Sequence, residues 1–474
     1  LCDLPRQIDQ RRLFSNRLHR PDHNGRNPRC AAGCSRSTGN IEREQLRPFA
    51  LNGFLLDTLS VTSNGRQYRW PRQPVVVVCL DGSEPEYPGS DGGGYLDQAI
   101  GNGCMPYLEQ VRRTGMFRTA ESIIPSFTNP NNISIVTGAP PSAHGISGNF
   151  FYDAERDQEV MMNDPALLRT STIFHAFQEK GASIAIVTAK DKLRRLLGHQ
   201  LEFGQDGAVC FSAESCRNTT LEGNGIDNAF ELVGLPAPDV YSGALSEYVF
   251  AAGFKLLQKA HPDILYLSTS DYIQHKHRPG TPAADAFCAM IDSYLERIHD
   301  LGAVIALTAD HGMKAKHDFQ GRPNIVYLAP LLRSRLGQHE ARIVLPITDP
   351  YVVHHGALGG FATIYLDDPG ISEKLLEILS ATPGIELALN RQEACRRFEL
   401  PPDRLGDIVV IASNHWVLGH SEDYHDLAAL KEPLRSHGGL SEQRVPFIVS
   451  RPVSGLSLER LRNYDIFDAV LNHT

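Results

Sequence analysis

Ala303-Val304-Ile305-Ala306-Leu307-Thr308-Ala309-Asp310-His311-Gly312-Met313 decides how this chain is read. The apolar run Ala303 to Leu307 predicts a parallel strand buried on both faces. At its end stand a carboxylate and an imidazole, then a glycine that lets the chain turn sharply. Ligands of open α/β sheets collect at this carboxyl-terminal edge. A single Asp-His pair in a loop is ordinary polar structure; what gives this one weight is recurrence.

Several segments end the same way. Val75 to Leu80 reads as a central strand that runs into Asp81-Gly82, where an aspartate also serves as a helix cap. Asp263 to Ser268 is a strand delivering Asp271-Tyr272-Ile273-Gln274-His275, with Asp and His on one face if the segment is helical. Ser183 to Val187 leads into Ala189-Lys190-Asp191-Lys192, so two ammonium groups stand near the same edge. Ile123 to Ile133 is a proline-bracketed turn entering a helix over Asn132 to Thr137. It puts the Thr128 hydroxyl where it caps the helix, or where N–H groups and the dipole favour an oxyanion. His144 to Asn149 forms a loop, and Ser436-His437-Gly438-Gly439 precedes a last strand, Val445 to Val449. Helices are expected over Met105 to Met116, Ser171 to Lys180, Pro238 to Ala260 and Pro282 to Leu301.

The alternation predicts an α/β fold: a doubly wound, mostly parallel sheet with an inserted α+β cap lobe. Residues 61–319 and 431–474 form the core and 320–430 the cap lobe. Residues 1–60, rich in Arg, Asn and Ser, read as a disordered or artefactual extension. Cys30 and Cys34, with His19 and His23, belong to it rather than to a zinc knuckle. A net charge of −9 without a basic run argues against a nucleic-acid surface. No run of about 18 apolar residues marks a membrane span. Nine cysteines without metal spacing, and no apolar signal-peptide core, lead to the expectation of free thiols in the cytoplasm.

The strand-edge groups comprise three carboxylates (Asp81, Asp271, Asp310), three imidazoles (His275, His311, His437) and the hydroxyl of Thr128. Such donors suit a pair of Zn2+ ions. About 3.5–4 Å apart, two ions clamp the attacking and leaving sides of a phosphoryl centre, and a hydroxyl touching one becomes a nucleophile. A metal-binding scaffold without catalysis is the reading from another class; loss of Thr128 or of one ligand would favour it, and all seven positions are filled.

These motifs resemble the alkaline phosphatase superfamily, in its nucleotide pyrophosphatase/phosphodiesterase-like branch, and most closely the phosphonoacetate hydrolases. The resemblance covers residues 61–474 and rests on Cys79-Leu80-Asp81-Gly82, Pro125-Ser126-Phe127-Thr128-Asn129-Pro130-Asn131, Thr188-Ala189-Lys190-Asp191-Lys192, Asp271 to His275, Ala309 to Met313 and Ser436 to Gly439. It implies one zinc on Asp271, His275 and His437, and a second on Asp81, Asp310 and His311 with Thr128 as nucleophile. Asn149 would donate to phosphoryl oxygens, and Lys190 and Lys192 would bind the phosphonate and carboxylate of the substrate. The implied reaction is hydrolysis of the P–C bond of phosphonoacetate to acetate and phosphate, as in phosphonate catabolism. The implied partners are that small molecule and a second copy of the chain in a homodimer, with neither nucleic acid nor membrane. The alternative keeps the site and moves the reaction to P–O bonds, as in a phosphodiesterase or nucleotide pyrophosphatase. Arg342 is a further candidate anion ligand. The Pro88 to Tyr95 stretch resembles an insertion, and His354-His355 and His420…His425 read as surface or lobe structure.

Overall fold

The computed structural model describes residues 59–86, 93–336, 340–348, 358–456 and 459–474. The extension apart from its last two residues, most of the 88–95 stretch and His354-His355 lie outside them. Seven strands form the central sheet: Val75–Cys79 (β1), Met116–Glu121 (β2), Ile184–Thr188 (β3), Val209–Ser212 (β4), Ile264–Ser268 (β5), Val304–Thr308 (β6) and Arg444–Val449 (β7). Their order is β2-β7-β6-β1-β5-β3-β4. The five strands from β6 to β4 are mutually parallel, and β7 runs antiparallel to both neighbours.

Every residue of β1, β3, β5 and β6 is buried, which is why these strands are continuous apolar runs. Side chains alternate across a strand, so each strand serves two cores. Val76, Val78, Leu265, Leu267, Ile305 and Leu307 pack with Ala244–Ala260 and Pro282–Asp300 on one face. Val75, Val77, Ile264, Tyr266, Val304 and Ala306 pack with Thr128–Thr137, Ile173–Gln178 and Ile466–Asn472 on the other. That is the doubly wound arrangement. The six cysteines among the described residues, Cys79, Cys104, Cys210, Cys216, Cys288 and Cys395, are free thiols.

Three helix boundaries and one strand differ from the sequence reading. The helix expected to reach Met116 ends at Thr114, and β2 begins two residues later. Gly115 permits the change, because a Cβ there would lie 2.3 Å from the Val449 carbonyl of β7. Strand β4 is short and carries no clear sequence signal. The helix expected from Pro238 begins at Ala244, because the Asp239 carboxylate accepts from Tyr241 N–H (2.8 Å) and forms a turn first. The helix expected from Asn132 starts at Thr128, since Pro130 falls in the first turn, where a missing N–H is harmless.

The cap lobe is a four-stranded antiparallel sheet, Ala341–Val344, Phe361–Leu366, Ile408–Ala412 and Ile385–Asn390 in spatial order, with helices Ser372–Ser380 and Arg391–Phe398. Its apolar core includes Ile124 and Phe127 from the turn before Thr128, so the lobe packs directly on the segment that carries the hydroxyl.

His144 supplies a pH-sensitive element of the core. Its ring is fully buried, accepts from Ile146 N–H at Nδ1 (3.1 Å) and lies 2.8 Å from Ser134 Oγ at Nε2. Burial pushes it down to about 3 from the ordinary 6.5. The fold therefore favours neutral imidazole, and the unfolded chain takes up a proton first as pH falls. Stability contributed by His144 is complete above about 6.5 and declines by about 1.4 kcal/mol per pH unit toward 3. His144→Gln should flatten that limb of a urea-midpoint profile; an unchanged slope would exclude His144 as its source.

Candidate metal-dependent active site

The register of three adjacent parallel strands builds the site. Cys79 of β1 lies opposite Thr308 of β6 and Ser268 of β5. Asp81 and Asp310, each two residues past those partners, therefore sit level, and Asp271 comes three past the end of β5. All three are buried. Asp271 occupies the N-cap of Tyr272–Lys276 without a capping hydrogen bond, and Asp81 stands in a turn rather than at a helix start.

The three histidines are oriented by the main chain. Nδ1 of His275 lies 3.0 Å from Arg435 O, that of His311 2.9 Å from Gly312 O, and that of His437 2.8 Å from Ser126 O. A carbonyl only accepts, so Nδ1 carries a proton and each Nε2 points inward, where it can offer a lone pair to a cation. Those Nε2 atoms converge on the carboxylates. His275 Nε2 is 2.9 Å and His437 Nε2 3.9 Å from Asp271 Oδ2, while His311 Nε2 is 3.3 Å from Asp81 Oδ1 and 4.0 Å from Asp310 Oδ2. The His311 and His437 rings stack at 3.6 Å. Thr128 Oγ1 stands 3.3 Å from His311 Nε2. Thr128 is the first helical residue rather than the cap, so its hydroxyl is left to face the cluster.

Oxygen and nitrogen acceptors crowd here with too few donors. Asp81 Oδ1 and Asp271 Oδ1 are buried without a hydrogen-bond donor, an arrangement that is unfavourable unless a cation completes it. Burial, then Asp271 and Asp310, hold Asp81 well above the usual carboxylate range. Burial and Asp271 raise Asp310 to about 6. Burial also pushes Asp271 up, but His275, Lys190 and His437 outweigh it and hold Asp271 well below 3.8. Burial lowers His311 to about 4 against the pull of Asp271, so the ring is neutral near pH 7. Asp81, Asp310 and His311 present ligand atoms mutually within 4.8 Å, as do Asp271, His311 and His437. The donor set fits divalent metal ions.

Lys190 joins the cluster, its Nζ 3.7 Å from Asp271 Oδ1, whereas Lys192 is exposed on the Asp191–Leu197 helix. Asn149 is buried, and its backbone is held by Pro346 O (3.1 Å) and Met162 N–H (2.8 Å). Arg342, the further candidate, is drawn instead to Asp157 (3.2 Å) and to the Tyr152 ring (4.2 Å), and its side chain is 45% exposed.

Supporting residues carry little signal in the sequence. Asn132 accepts from the Tyr266 and Ser268 hydroxyls (2.8 and 3.0 Å), which fixes its amide so that Nδ2 donates to Asp310 Oδ2 (3.1 Å) and Thr128 O (3.0 Å). Glu442 joins two ligand loops: its main-chain oxygen accepts from Gly312 N–H (2.7 Å) and its carboxylate from Gly439 N–H (3.0 Å). The buried Lys316 ammonium neutralises it at 2.8 Å. The available signal was a glutamate three residues past Gly439, the spacing of a capping box. Gly438 adopts φ 117, and a Cβ there would lie 2.5 Å from the Phe127 ring. Gly438→Ala should therefore displace His437 and weaken metal binding by about tenfold or more, read by titration against a competing chelator; unchanged affinity would mean the loop adapts.

The family model for type I phosphodiesterase / nucleotide pyrophosphatase matches residues 75–440. Ectonucleotide pyrophosphatase/phosphodiesterase family member 1 of Rattus norvegicus is 26% identical over 259 residues, covering 51% of this chain but only 24% of that protein's length. Crystal structures of phosphonoacetate hydrolase from Sinorhizobium meliloti 1021, in complex with phosphonoformate and with phosphonoacetate, superpose with TM-score 0.82 at 56% identity over 87% of this chain and 98% of that one. Murine ectonucleotide pyrophosphatase/phosphodiesterase 5, with TM-score 0.54 and 17% identity over 85% of this chain and 96% of that one, shares the fold. No helix among the described residues is long and apolar enough to cross a membrane. With 366 of its residues (75 through 440) matched by the family model, this chain belongs to the type I phosphodiesterase / nucleotide pyrophosphatase family.

Proposed function

We propose that the chain hydrolyses the P–C bond of phosphonoacetate to acetate and phosphate. The observation that carries this reading is the cluster of three main-chain-locked imidazoles and three carboxylates beneath the Thr128 hydroxyl, with Lys190 at its rim. The 56% identity to a phosphonoacetate hydrolase supports it. Asp271, His275 and His437 would hold one zinc ion and Asp81, Asp310, His311 and Thr128 a second; bound there, the ions supply positive charge for the phosphoryl oxygens and acidify the hydroxyl.

The chain's own groups do the rest. Thr128 Oγ attacks phosphorus from the first turn of its helix, whose N–H groups and dipole favour the phosphoryl oxygens. The Oγ–P bond forms as the P–C bond breaks. The electron pair passes to the methylene carbon and is delocalised into the adjacent carboxylate, which makes a poor leaving group acceptable. Lys190, with Lys192 outside it, pairs with that carboxylate as its charge grows, an interaction stronger in the transition state than in the ground state. The proton given up by the Thr128 hydroxyl is balanced by one taken up on carbon from solvent, which completes acetate; water then adds its oxygen to phosphorus, breaks the Oγ–P bond and returns a proton to Oγ, releasing phosphate. Asn149 donates to the phosphoryl oxygens, and the cap lobe keeps bulk water away.

Phosphate and acetate released together from phosphonoacetate by zinc-loaded protein, in equal amounts and abolished by EDTA, are the expected result. Turnover of a p-nitrophenyl phosphodiester alone would move the function to P–O bonds. Lys190→Ala should reduce kcat/KM for phosphonoacetate by about 100-fold and Lys192→Ala, at an exposed position, by less; equal and small losses would remove both from carboxylate recognition.

A further inference from the structure

Beside the end of the Tyr272–Lys276 helix lies a cavity of about 470 Å³, lined by Lys276, Arg278, Lys314 and Arg435 with the carboxylates of Glu84 and Glu432. None of the seven candidate metal ligands lines it. Its volume is that of a small-molecule site.

The charges do not cancel. Lys276 pairs with Glu432 and Lys314 with Glu84, each at 2.9 Å. Arg278 and Arg435 have no ion-pair partner among the described residues. Arg435 donates from Nε to Gln274 O (2.7 Å) and from Nη2 to the Tyr95 hydroxyl oxygen (3.0 Å) and Met313 O (3.1 Å). These acceptors are neutral, and Glu84 of the same wall acts on the guanidinium only through space, so four cationic side chains face two carboxylates in the cavity. Lys314 and Glu84 are nearly fully buried, whereas Arg278 is exposed and Arg435 half-buried, so the excess positive charge is accessible to a solute. In a chain of net charge −9, a concave site with two unpaired guanidinium groups has a specific complement: oxygen pairs of a carboxylate or phosphate, which match the guanidinium fork.

We propose that this cavity binds a small oxyanion of the phosphate–carboxylate type through Arg278 and Arg435, as a second anion site apart from the metal cluster. Arg435 links it to the histidines. Its main-chain oxygen accepts from His275 Nδ1, its guanidinium holds Gln274 O beside His275 and Met313 O two residues past His311, and His437 stands two residues past it. An anion drawing on Arg435 therefore bears on all three histidine segments.

The test counts inorganic phosphate bound to the zinc-loaded full chain by equilibrium dialysis, which needs no turnover and so stands apart from the reaction assigned above. The expected result is two equivalents for the natural sequence. In Arg278→Gln the second equivalent should weaken by about tenfold or more, while the first equivalent, the zinc content and the thermal midpoint stay unchanged. Acetate that displaces the second equivalent would identify a carboxylate as the occupant, and acetate that does not would leave phosphate. Lys276→Gln gives an independent variant and should weaken the same equivalent. A single equivalent on the natural sequence, or two undiminished equivalents in both variants, would overturn the proposal.

Discussion

Thr128→Ala should lower kcat on phosphonoacetate by about 10^4-fold or more, the scale seen when a covalent nucleophile is removed, and leave metal content unchanged. The geometry separates the two readouts. Thr128 Oγ1 faces His311 Nε2 at 3.3 Å, but three carboxylates and three imidazoles remain to hold the metal. Fold stability should not fall either. The helix over Thr128–Thr137 makes no side-chain capping bond, so the hydroxyl closes no helix end, and alanine is the better helix former by a few tenths of a kcal/mol. Thr128→Ser, which keeps an oxygen at the same atom, should recover a large part of the rate. Turnover by Thr128→Ala within tenfold of the natural sequence would exclude the threonine ester, whatever became of the metal.

The second large effect is a change of sign. Asp81→Asn should abolish activity while making the metal-free protein more stable. Burial, then Asp271 and Asp310, raise Asp81 well above its ordinary value of 3.8. A raised carboxyl in the folded state means that the fold favours the neutral acid. The associated stability is fully present below about pH 4 and is lost as pH rises through the raised value. Asparagine has nearly the same shape and cannot ionise, and Asp81 Oδ1 accepts no hydrogen bond that would be forfeited. Without metal, the variant should therefore melt a few degrees higher at pH 8, corresponding to about 1 kcal/mol or more, with the gap closing toward pH 4. With zinc present the order should reverse, because the natural sequence gains the binding free energy of its metal and the variant loses a charged ligand. A variant that melts lower than the natural sequence in EDTA at pH 8 would contradict the electrostatic account. The site would then be one that sacrifices no apo stability for function.

Much of this is legible without coordinates. A buried parallel strand needs an apolar run, so β1, β3, β5 and β6 stand out in the sequence, and parallel strands deliver the residues at their carboxyl ends to one edge. Asp81, Asp271, Asp310 and Lys190 can therefore be gathered from spacing alone. Edge strands have weaker patterns: β2 is half-exposed along most of its length and β4 is only four residues long, so both escape the sequence reading. Lys190 and Lys192 look equivalent in sequence, yet the Asp191–Leu197 helix turns one inward and leaves the other exposed.

What tertiary structure alone decided is how each candidate ligand is held. A histidine's tautomer is set by whichever group meets its other nitrogen. Here those groups are the carbonyls of Arg435, Gly312 and Ser126, two of them far along the chain from the histidine they orient. The same holds for Asn132 under Asp310, Glu442 between two loops, and the unpaired guanidinium groups behind them. The residue types at the sheet edge come from local pattern, because strand and turn are local. The orientation of their donor atoms comes from contacts between segments hundreds of residues apart, which no local pattern encodes.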